Sequence, residues 1–282
     1  MRVAVAQLDP KLADKERNLD ACLVSLDEAV AAGAELLVLP ECAIPGYMFD
    51  SADEAMPYAE EIPGPSTQTL IDACTKAGAY VCCGLIERDG DRLRNAAVLV
   101  GPEGLIGTYR KSHLPFLGID RFVMPGDELP VWDTPLGRIG VEICYDLRFP
   151  EVTRTLALKG ADIVCHPTNF PMAARVQTEV ITTARAAENR IFLLTANRCG
   201  RERWAEFCGR SQIVDPYGVR LAETDVAGEA LLVADVEIEK ARDKDYVIPG
   251  EYELYLFGHR RPELYGALVE ETQTVTTQGG IA

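Results

Sequence analysis

The chain has 282 residues, of which 44 are acidic and 28 basic, giving a net charge of −16 at pH 7. That balance excludes the cationic footprint that nucleic-acid phosphates require, so no nucleic-acid partner is expected. Apolar residues make up 48% of the chain, enough for a sizeable core, yet no run approaches the roughly 20 uninterrupted apolar residues of a membrane span.

The opening Met1-Arg2-Val3-Ala4-Val5-Ala6-Gln7 reads as a strand and lacks the longer apolar stretch of a signal peptide, which points to a cytoplasmic protein. The nine cysteines lie mostly inside apolar runs (Cys22, Cys74, Cys82, Cys83 and Cys165). With three histidines and no C-x-x-C pair, neither a disulfide framework nor a zinc site is expected. These thiols read as reduced, small core residues.

Strand and helix patterns alternate from end to end. After the strand at 2–7, Leu19, Cys22, Leu23, Leu26 and Val30 recur at helical spacing and predict an amphipathic helix over about 14–32. A strand at 36–39 follows, then a helix near 66–77 and strands at 80–86, 95–100 and 106–110. The second half predicts strand 138–143, helix 150–159, strand 162–165, helix 174–188, strand 191–197, and strands near 208–214 and 230–236. Turn signals at Asp89-Gly90, Pro102-Glu103-Gly104 and Asp215-Pro216-Tyr217-Gly218 separate them. No low-complexity linker interrupts the chain, so 1–282 is expected to form one domain.

Gly33-Ala34-Glu35-Leu36-Leu37-Val38-Leu39-Pro40-Glu41 echoes Gly160-Ala161-Asp162-Ile163-Val164-Cys165-His166-Pro167-Thr168. Each is preceded by a helix and a similar strand, which suggests two sheets packed face to face with helices outside. Pattern alone leaves a single doubly wound sheet open.

Three strand ends carry chemistry. Leu36-Leu37-Val38-Leu39-Pro40 delivers Glu41, Ile106-Gly107-Thr108-Tyr109-Arg110 delivers Lys111, and Arg138-Ile139-Gly140-Val141-Glu142-Ile143 delivers Cys144. The carboxyl ends of strands are where open α/β architectures place reactive groups. A carboxylate, an ammonium and a thiol there can serve as base, oxyanion stabiliser and nucleophile. A free thiol is only a few per cent ionised at neutral pH, so it needs the base or a nearby positive charge. Alone, each residue has a plainer reading: a helix cap, a solvated edge, core filler. His113 and His166 would be the partners in a Cys–His pair.

Leu39-Pro40-Glu41, Tyr109-Arg110-Lys111-Ser112-His113 and Ile143-Cys144-Tyr145-Asp146-Leu147-Arg148-Phe149-Pro150-Glu151 together resemble the nitrilase superfamily of carbon–nitrogen hydrolases. So do Ala187-Glu188-Asn189-Arg190, Cys208-Gly209-Arg210-Ser211 and Arg260-Arg261-Pro262-Glu263-Leu264-Tyr265-Gly266, and the resemblance spans nearly the whole chain. It implies an α/β fold, a four-layer α-β-β-α sandwich of two mixed sheets. It also implies Glu41, Lys111 and Cys144 as catalytic residues, with His113 not acting as the base.

The implied reaction is hydrolysis of a small linear carboxamide to acid and ammonia through a Cys144 thioester, with no metal or organic cofactor. A nitrilase or an N-carbamoyl-amine amidohydrolase is the alternative within the same chemistry, and a non-catalytic metabolite-binding protein the alternative outside it. The family often carries a second acid, usually glutamate, after the lysine; here only Asp120 is placed for it, with Glu128 too far along. Arg148 resembles the branch acting on ω-amides and deaminated glutathione, where a guanidinium could hold a carboxylate; local pairing with Asp146 or Glu151 is its plainer reading. Tyr47, Phe116, Tyr145, Asn169 and Phe170 lie near predicted strand ends and are expected to contact substrate. The aromatic- and arginine-rich segment 245–282 reads as an interface arm of a homodimer or larger assembly.

Overall fold

Two adjacent cysteines show how the layers are arranged. Cys82 and Cys83 follow one another on a strand, so their side chains point to opposite faces. The Cys83 thiol is influenced by Cys22 on a helix, and that of Cys82 by Cys165 on a strand of another sheet. One face of the sheet is therefore covered by helix and the other by a second sheet.

The computed structural model describes residues 1–224 and 228–270. Its first half runs β1 (Arg2–Gln7), α1 (Lys15–Ala31), β2 (Leu36–Val38), α2 (Ala52–Ala55), α3 (Pro65–Ala77), β3 (Tyr80–Asp89), β4 (Arg92–Gly101) and β5 (Gly104–Arg110). Then come β6 (Val131–Thr134), β7 (Gly137–Val141), α4 (Pro150–Leu158), β8 (Ile163–Thr168), α5 (Thr182–Asn189) and β9 (Phe192–Asn197). The short hairpin β10 (Arg201–Glu202) and β11 (Ala205–Glu206) leads to β12 (Gln212–Val214), β13 (Arg220–Glu223), β14 (Ala230–Asp235) and α6 (Glu239–Arg242).

One six-stranded sheet has the order β14-β1-β2-β3-β4-β5 and the other β13-β12-β9-β8-β7-β6. Each is mixed. In the first, β1, β2 and β3 are parallel, with Val5 opposite Val38 and Val38 opposite Cys82. In the second, β7, β8 and β9 are parallel, with Val141 opposite Cys165 and Cys165 opposite Leu194. The strand–helix–strand echo in the sequence is thus the parallel centre of each sheet, and the fold is the four-layer sandwich rather than one doubly wound sheet. α1 and α3 bury Cys22, Leu26, Leu70 and Cys74 against the first sheet. On the second, Leu156 of α4 lies over Gly140, where an added Cβ would meet its side chain at 3.3 Å.

β3 runs three residues past the expected 86 and β4 starts three before the expected 95, and three further boundaries differ from the periodicity. Helical spacing over 174–188 becomes a 3₁₀ turn at Met172–Ala174, a π turn at Gln177–Ile181 and only then α5. Gln177 and Thr178 are buried in that wide turn, and the Thr182 hydroxyl donates back to the Gln177 carbonyl at 2.8 Å. The strand expected over 138–143 stops at Val141, because the Ile143 amide donates to the Asp146 carboxylate at 3.0 Å instead of to a neighbouring strand. The strand near 208–214 begins only at Gln212, since the Cys208 and Gly209 amides are taken by the carbonyls of Phe170 and Arg198.

The chain divides into two units, Met1–Asp243 and a second beginning at Lys244, next to the boundary expected for the arm at 245. The second holds an antiparallel hairpin, β15 (Asp245–Ile248) with β16 (Tyr252–Tyr255), in which Tyr246 stacks on Tyr252. Residues 271–282 of the expected arm lie outside the described residues.

Candidate active site

Each of the three candidate residues follows a strand directly or within three residues. Glu41 follows β2, and its backbone packs closely on β3. A Cβ on Gly84 would meet Glu41 Cα and the Cys42 amide at 2.6 Å, so only glycine fits there. The Asn169 side-chain amide donates to the Glu41 carbonyl at 2.9 Å, tying this turn to the end of β8 in the second sheet. Lys111 follows β5 and donates its backbone N–H to the Asn95 carbonyl at 2.8 Å. Cys144 opens a 3₁₀ turn, Cys144–Arg148, with φ at +47°, a left-handed conformation that costs a non-glycine residue energy. That turn points the side chain away from the path of β7.

The structure brings Glu41, Lys111 and Asp120 into direct contact. The Lys111 ammonium donates to Glu41 Oε1 and to Asp120 Oδ2, both at 2.6 Å, and both carboxylates, like the lysine, are buried. The Asn95 amide donates to the same Glu41 Oε1 at 2.7 Å and to Asp120 Oδ1 at 2.8 Å. Tyr47, fully buried, donates its hydroxyl to Asp120 Oδ2 at 2.7 Å. Glu41 Oε2 is buried without a hydrogen-bond partner among the described residues. Cys144 is 6% exposed.

Burial dominates the electrostatics of this cluster. It raises the pKa of Glu41 above the ordinary carboxylate value; the Lys111 charge pulls it back and the Asp120 charge pushes it further up. Burial alone would lower the pKa of Lys111, but the charges of Asp120 and Glu41 outweigh it, and the ammonium is held charged well above its usual range. Burial pushes the Cys144 thiol well up and the Glu41 charge adds to this; Lys111, the Thr168 side chain and the Asn169 backbone N–H act in the other direction. The resting thiol is therefore neutral beside a carboxylate whose affinity for protons is enhanced.

The two candidate histidines are occupied elsewhere. His113 places ring Nδ1 2.8 Å from Asp146 Oδ1, donates its backbone N–H to the same oxygen at 3.0 Å, and stacks on Phe149. His166 is fully buried, with Nδ1 3.2 Å from the Thr195 hydroxyl and Nε2 3.4 Å from the Cys144 carbonyl. Burial lowers its pKa to about 4, so it is neutral.

The expected substrate contacts are dispersed. Tyr47 and Asn169 join the cluster through the bonds above, and Phe170 is buried with its ring 5.6 Å from that of His166. Tyr145 is half-buried, edge-on to Phe149. Phe116 is 91% exposed on the loop after Lys111. Arg148 is also exposed, with Nε and Nη2 at 2.6 and 3.0 Å from the Gln177 amide taken with its oxygen toward the guanidinium.

Sequence reasoning gave Asn95 and Glu202 no role and offered Asp146 only as a local partner of Arg148. Asn95 was detectable as an amide inside the apolar run of β4. Asp146 accepts from His113, from Tyr109 at 2.7 Å and from the Ile143 amide, joining the Lys111 loop to the Cys144 turn. Glu202 accepts the backbone N–H groups of Tyr47 and Met48 at 2.9 and 2.6 Å from more than 150 residues away, a pairing no local pattern announces.

The family model described as carbon-nitrogen hydrolase matches residues 2–246. A protein from Pyrococcus abyssi named "Nitrilase" is 39% identical over 246 residues, covering 86% of this chain and 92% of its own length. The "Omega-amidase NIT2" of Danio rerio is 33% identical over 277 residues, covering 94% and 96%. Among solved structures, an amidase from Nesterenkonia sp. AN1 superposes with a TM-score of 0.79 at 27% identity, covering 95% of this chain and 100% of that one. A variant of that amidase carries acrylamide, joined by Michael addition, at its active-site cysteine. With the sandwich of two mixed sheets, the buried Glu41–Lys111 pair and a match over most of its length, this chain belongs to the carbon-nitrogen hydrolase family.

Proposed function

We propose that the protein is an amidase that hydrolyses a small linear carboxamide to the acid and ammonia, with Cys144 as nucleophile, Glu41 as general base and Lys111 as oxyanion stabiliser. The observation that carries this reading is the division of labour in the buried cluster. Lys111 is locked as an ammonium between two carboxylates, while Glu41 keeps one oxygen, Oε2, without a partner and so able to take a proton. The ω-amidase and amidase relatives support the choice of an amide as substrate.

The neutral thiol gives its proton to Glu41 as the sulfur attacks the carbonyl carbon and a C–S bond forms. The oxyanion is met by the Lys111 ammonium, two of whose three donors are spent on carboxylates, and by the backbone N–H after Cys144, a contribution of about 3 kcal/mol per donor. Glu41 returns the proton to the amide nitrogen, the C–N bond breaks, and ammonia leaves a thioester. Glu41 then deprotonates water, which attacks the thioester carbon. The C–S bond breaks, the thiol regains its proton and the acid departs. Asp120 holds Lys111 charged throughout.

The 39% identity to the protein named nitrilase favours a second reading, in which the same thiol adds to a nitrile carbon. Ammonia release from matched amides, nitriles and ureido compounds, with Cys144→Ala as control, separates these readings. Absence of turnover on all three classes by the intact protein would count against an enzyme and for a binding module. Selective alkylation of Cys144 by iodoacetamide ahead of the other eight cysteines is the companion result expected.

The proposal extends to a homodimer in a reducing cytoplasm. The nine thiols are free, which suits such a compartment, and among the described residues no helix is long and apolar enough to cross a membrane. Leu158, Met172, Val176 and Val180, each more than 40% exposed, put apolar surface along the segments after the Cys144 turn, where a two-fold partner would sit.

A further inference from the structure

Asn95 lies in the middle of β4 on the same face as Leu93, Ala97 and Leu99, and is 1% exposed. A buried primary amide is costly unless its two N–H donors are used. Here both are: one meets Glu41 Oε1 at 2.7 Å and the other Asp120 Oδ1 at 2.8 Å. The amide oxygen faces the Cys42 thiol at 3.6 Å, an acceptor toward a donor, which fixes the orientation of the group. Lys111 closes the ring from the other side, bonding the same Glu41 oxygen and Asp120, and its backbone N–H is held by the Asn95 carbonyl.

The ring constrains where a proton can go. An N–H donor needs a lone pair opposite it, so Glu41 Oε1, which accepts from both Asn95 and Lys111, cannot also carry hydrogen without losing one of those bonds. Oε2 has no such obligation. We propose that Asn95 is a positioning residue that makes Oε2 the only oxygen of Glu41 able to receive the Cys144 proton. It does so while holding Glu41 and Asp120 apart on opposite sides of Lys111. The inference rests on the reading of Glu41 as base. Lysine alone would leave the choice between the two oxygens open, because an ammonium on a flexible stem follows either one.

A second consequence concerns pH. The Asn95 bond favours the charged form of Glu41, so its loss lets the carboxylate hold a proton at higher pH. The charged and titratable groups around Glu41 are Lys111, Asp120, Cys42, Tyr47 and the Cys144 thiol, while the Asn95 amide that bonds it carries no charge.

The test uses the full chain carrying Asn95→Ala, Asn95→Ser or Asn95→Asp, each checked for fold by circular dichroism. The readouts are kcat and KM for an amide across pH and, independently of turnover, the pH dependence of Cys144 alkylation by iodoacetamide. Asn95→Ala is expected to lower kcat about tenfold with little change in KM. The loss should be about tenfold deeper on the acid limb than on the plateau, because the limb moves to higher pH. Asn95→Ser, with a single donor, should fall between. Asn95→Asp, isosteric and able to donate only when protonated, should lose most at neutral pH and recover on acidification. A folded variant whose whole profile drops by one factor, or does not change, overturns the proposal. If the wild-type protein turns over no amide, the amidase reading fails alone. The alkylation profile then decides: an acid limb that stays in place in Asn95→Ala overturns the role of Asn95.

Discussion

The carboxylate of Asp146 holds His113 at two points, the backbone N–H at 3.0 Å and ring Nδ1 at 2.8 Å, across 33 residues of sequence. Its other oxygen takes the Tyr109 hydroxyl and the Ile143 amide. One buried side chain thus fixes the distance between the strand that ends just before Lys111 and the turn that begins at Cys144. In this arrangement His113 is a strut, engaged with Asp146 and stacked on Phe149.

Asp146→Ala is therefore expected to leave two buried donors, the Tyr109 hydroxyl and the Ile143 amide, without this acceptor, destabilise the protein by about 3 kcal/mol and lower kcat/KM by more than tenfold. His113→Ala gives up a bond at a residue that is partly exposed and should cost only a few-fold in activity. Thermal melts and amide kinetics on both variants check this. Wild-type activity in Asp146→Ala would show that the carboxylate does not set the geometry, and complete loss in His113→Ala would return the histidine to candidacy as the base.

Glu41→Gln should keep the fold, since the amide oxygen can still accept from Lys111 and Asn95, and should lower kcat by about 10²-fold or more with little change in substrate affinity. Lys111→Ala should cost at least as much in kcat. It also leaves Glu41 and Asp120 facing each other in a buried space without a cation, so its melting temperature should drop where that of Glu41→Gln does not. Steady-state kinetics paired with melts on the two variants distinguish loss of a base from loss of a charge partner. Glu41→Gln at wild-type rate would remove the carboxylate from the mechanism.

Much of this arrangement was readable before any coordinates. The parallel centre of each sheet announced itself because strands buried on both faces are continuous apolar runs, as in Leu36–Val38, and because the two halves repeat. Glu41, Lys111 and Cys144 stood out through position, each shortly after such a run. What stayed hidden depends on long-range contact. β6 and β13 are edge strands of four residues whose half-exposed side chains give little alternation. The π turn at Gln177–Ile181 keeps helical spacing in the sequence while shifting register in space. Asn95 carries no signal beyond its amide opening the strand expected at 95–100, and its meaning comes only from Glu41 and Asp120, 54 and 25 residues away.

Glu142 offers a prediction about stability rather than chemistry. It is fully buried two residues before Cys144, accepts the Thr153 hydroxyl at 2.7 Å on one oxygen and, among the described residues, has no partner on the other. Burial is the main cause that raises its pKa from 4.5 to about 8, with Asp146 adding to the rise and Thr153 and Arg185 opposing it. A carboxyl with a raised folded pKa binds more protons folded than unfolded between those two values. Its contribution to stability is therefore full at pH 4.5 and below, declines as pH rises through the window, and is lost above about 8. Glu142→Gln, which cannot ionise, should match the wild type near pH 5 and exceed it by a few kcal/mol at pH 9. Denaturant unfolding at both values measures this. An unchanged difference between the proteins across the range would mean that Glu142 does not titrate in the folded state.

The last prediction concerns the segment from Lys244 onward. A two-stranded hairpin such as β15–β16 is marginal by itself, and this one exposes apolar side chains at Val247, Leu254 and Leu256, with Leu264, Leu268 and Val269 more exposed still. Surface of that composition, with Tyr246, Tyr252, Tyr265, Arg260 and Arg261 among it, matches the core of a subunit interface better than a solvated tail. A closed two-fold pair is the commonest assembly that covers such surface on every copy. Light scattering of the intact protein at micromolar concentration is expected to give at least twice the 30.8 kDa of one chain, and truncation from residue 245 should lower both the mass and the activity. A monomer at that concentration would remove the assembly, and a truncated chain that stays dimeric and active would remove the arm from its interface.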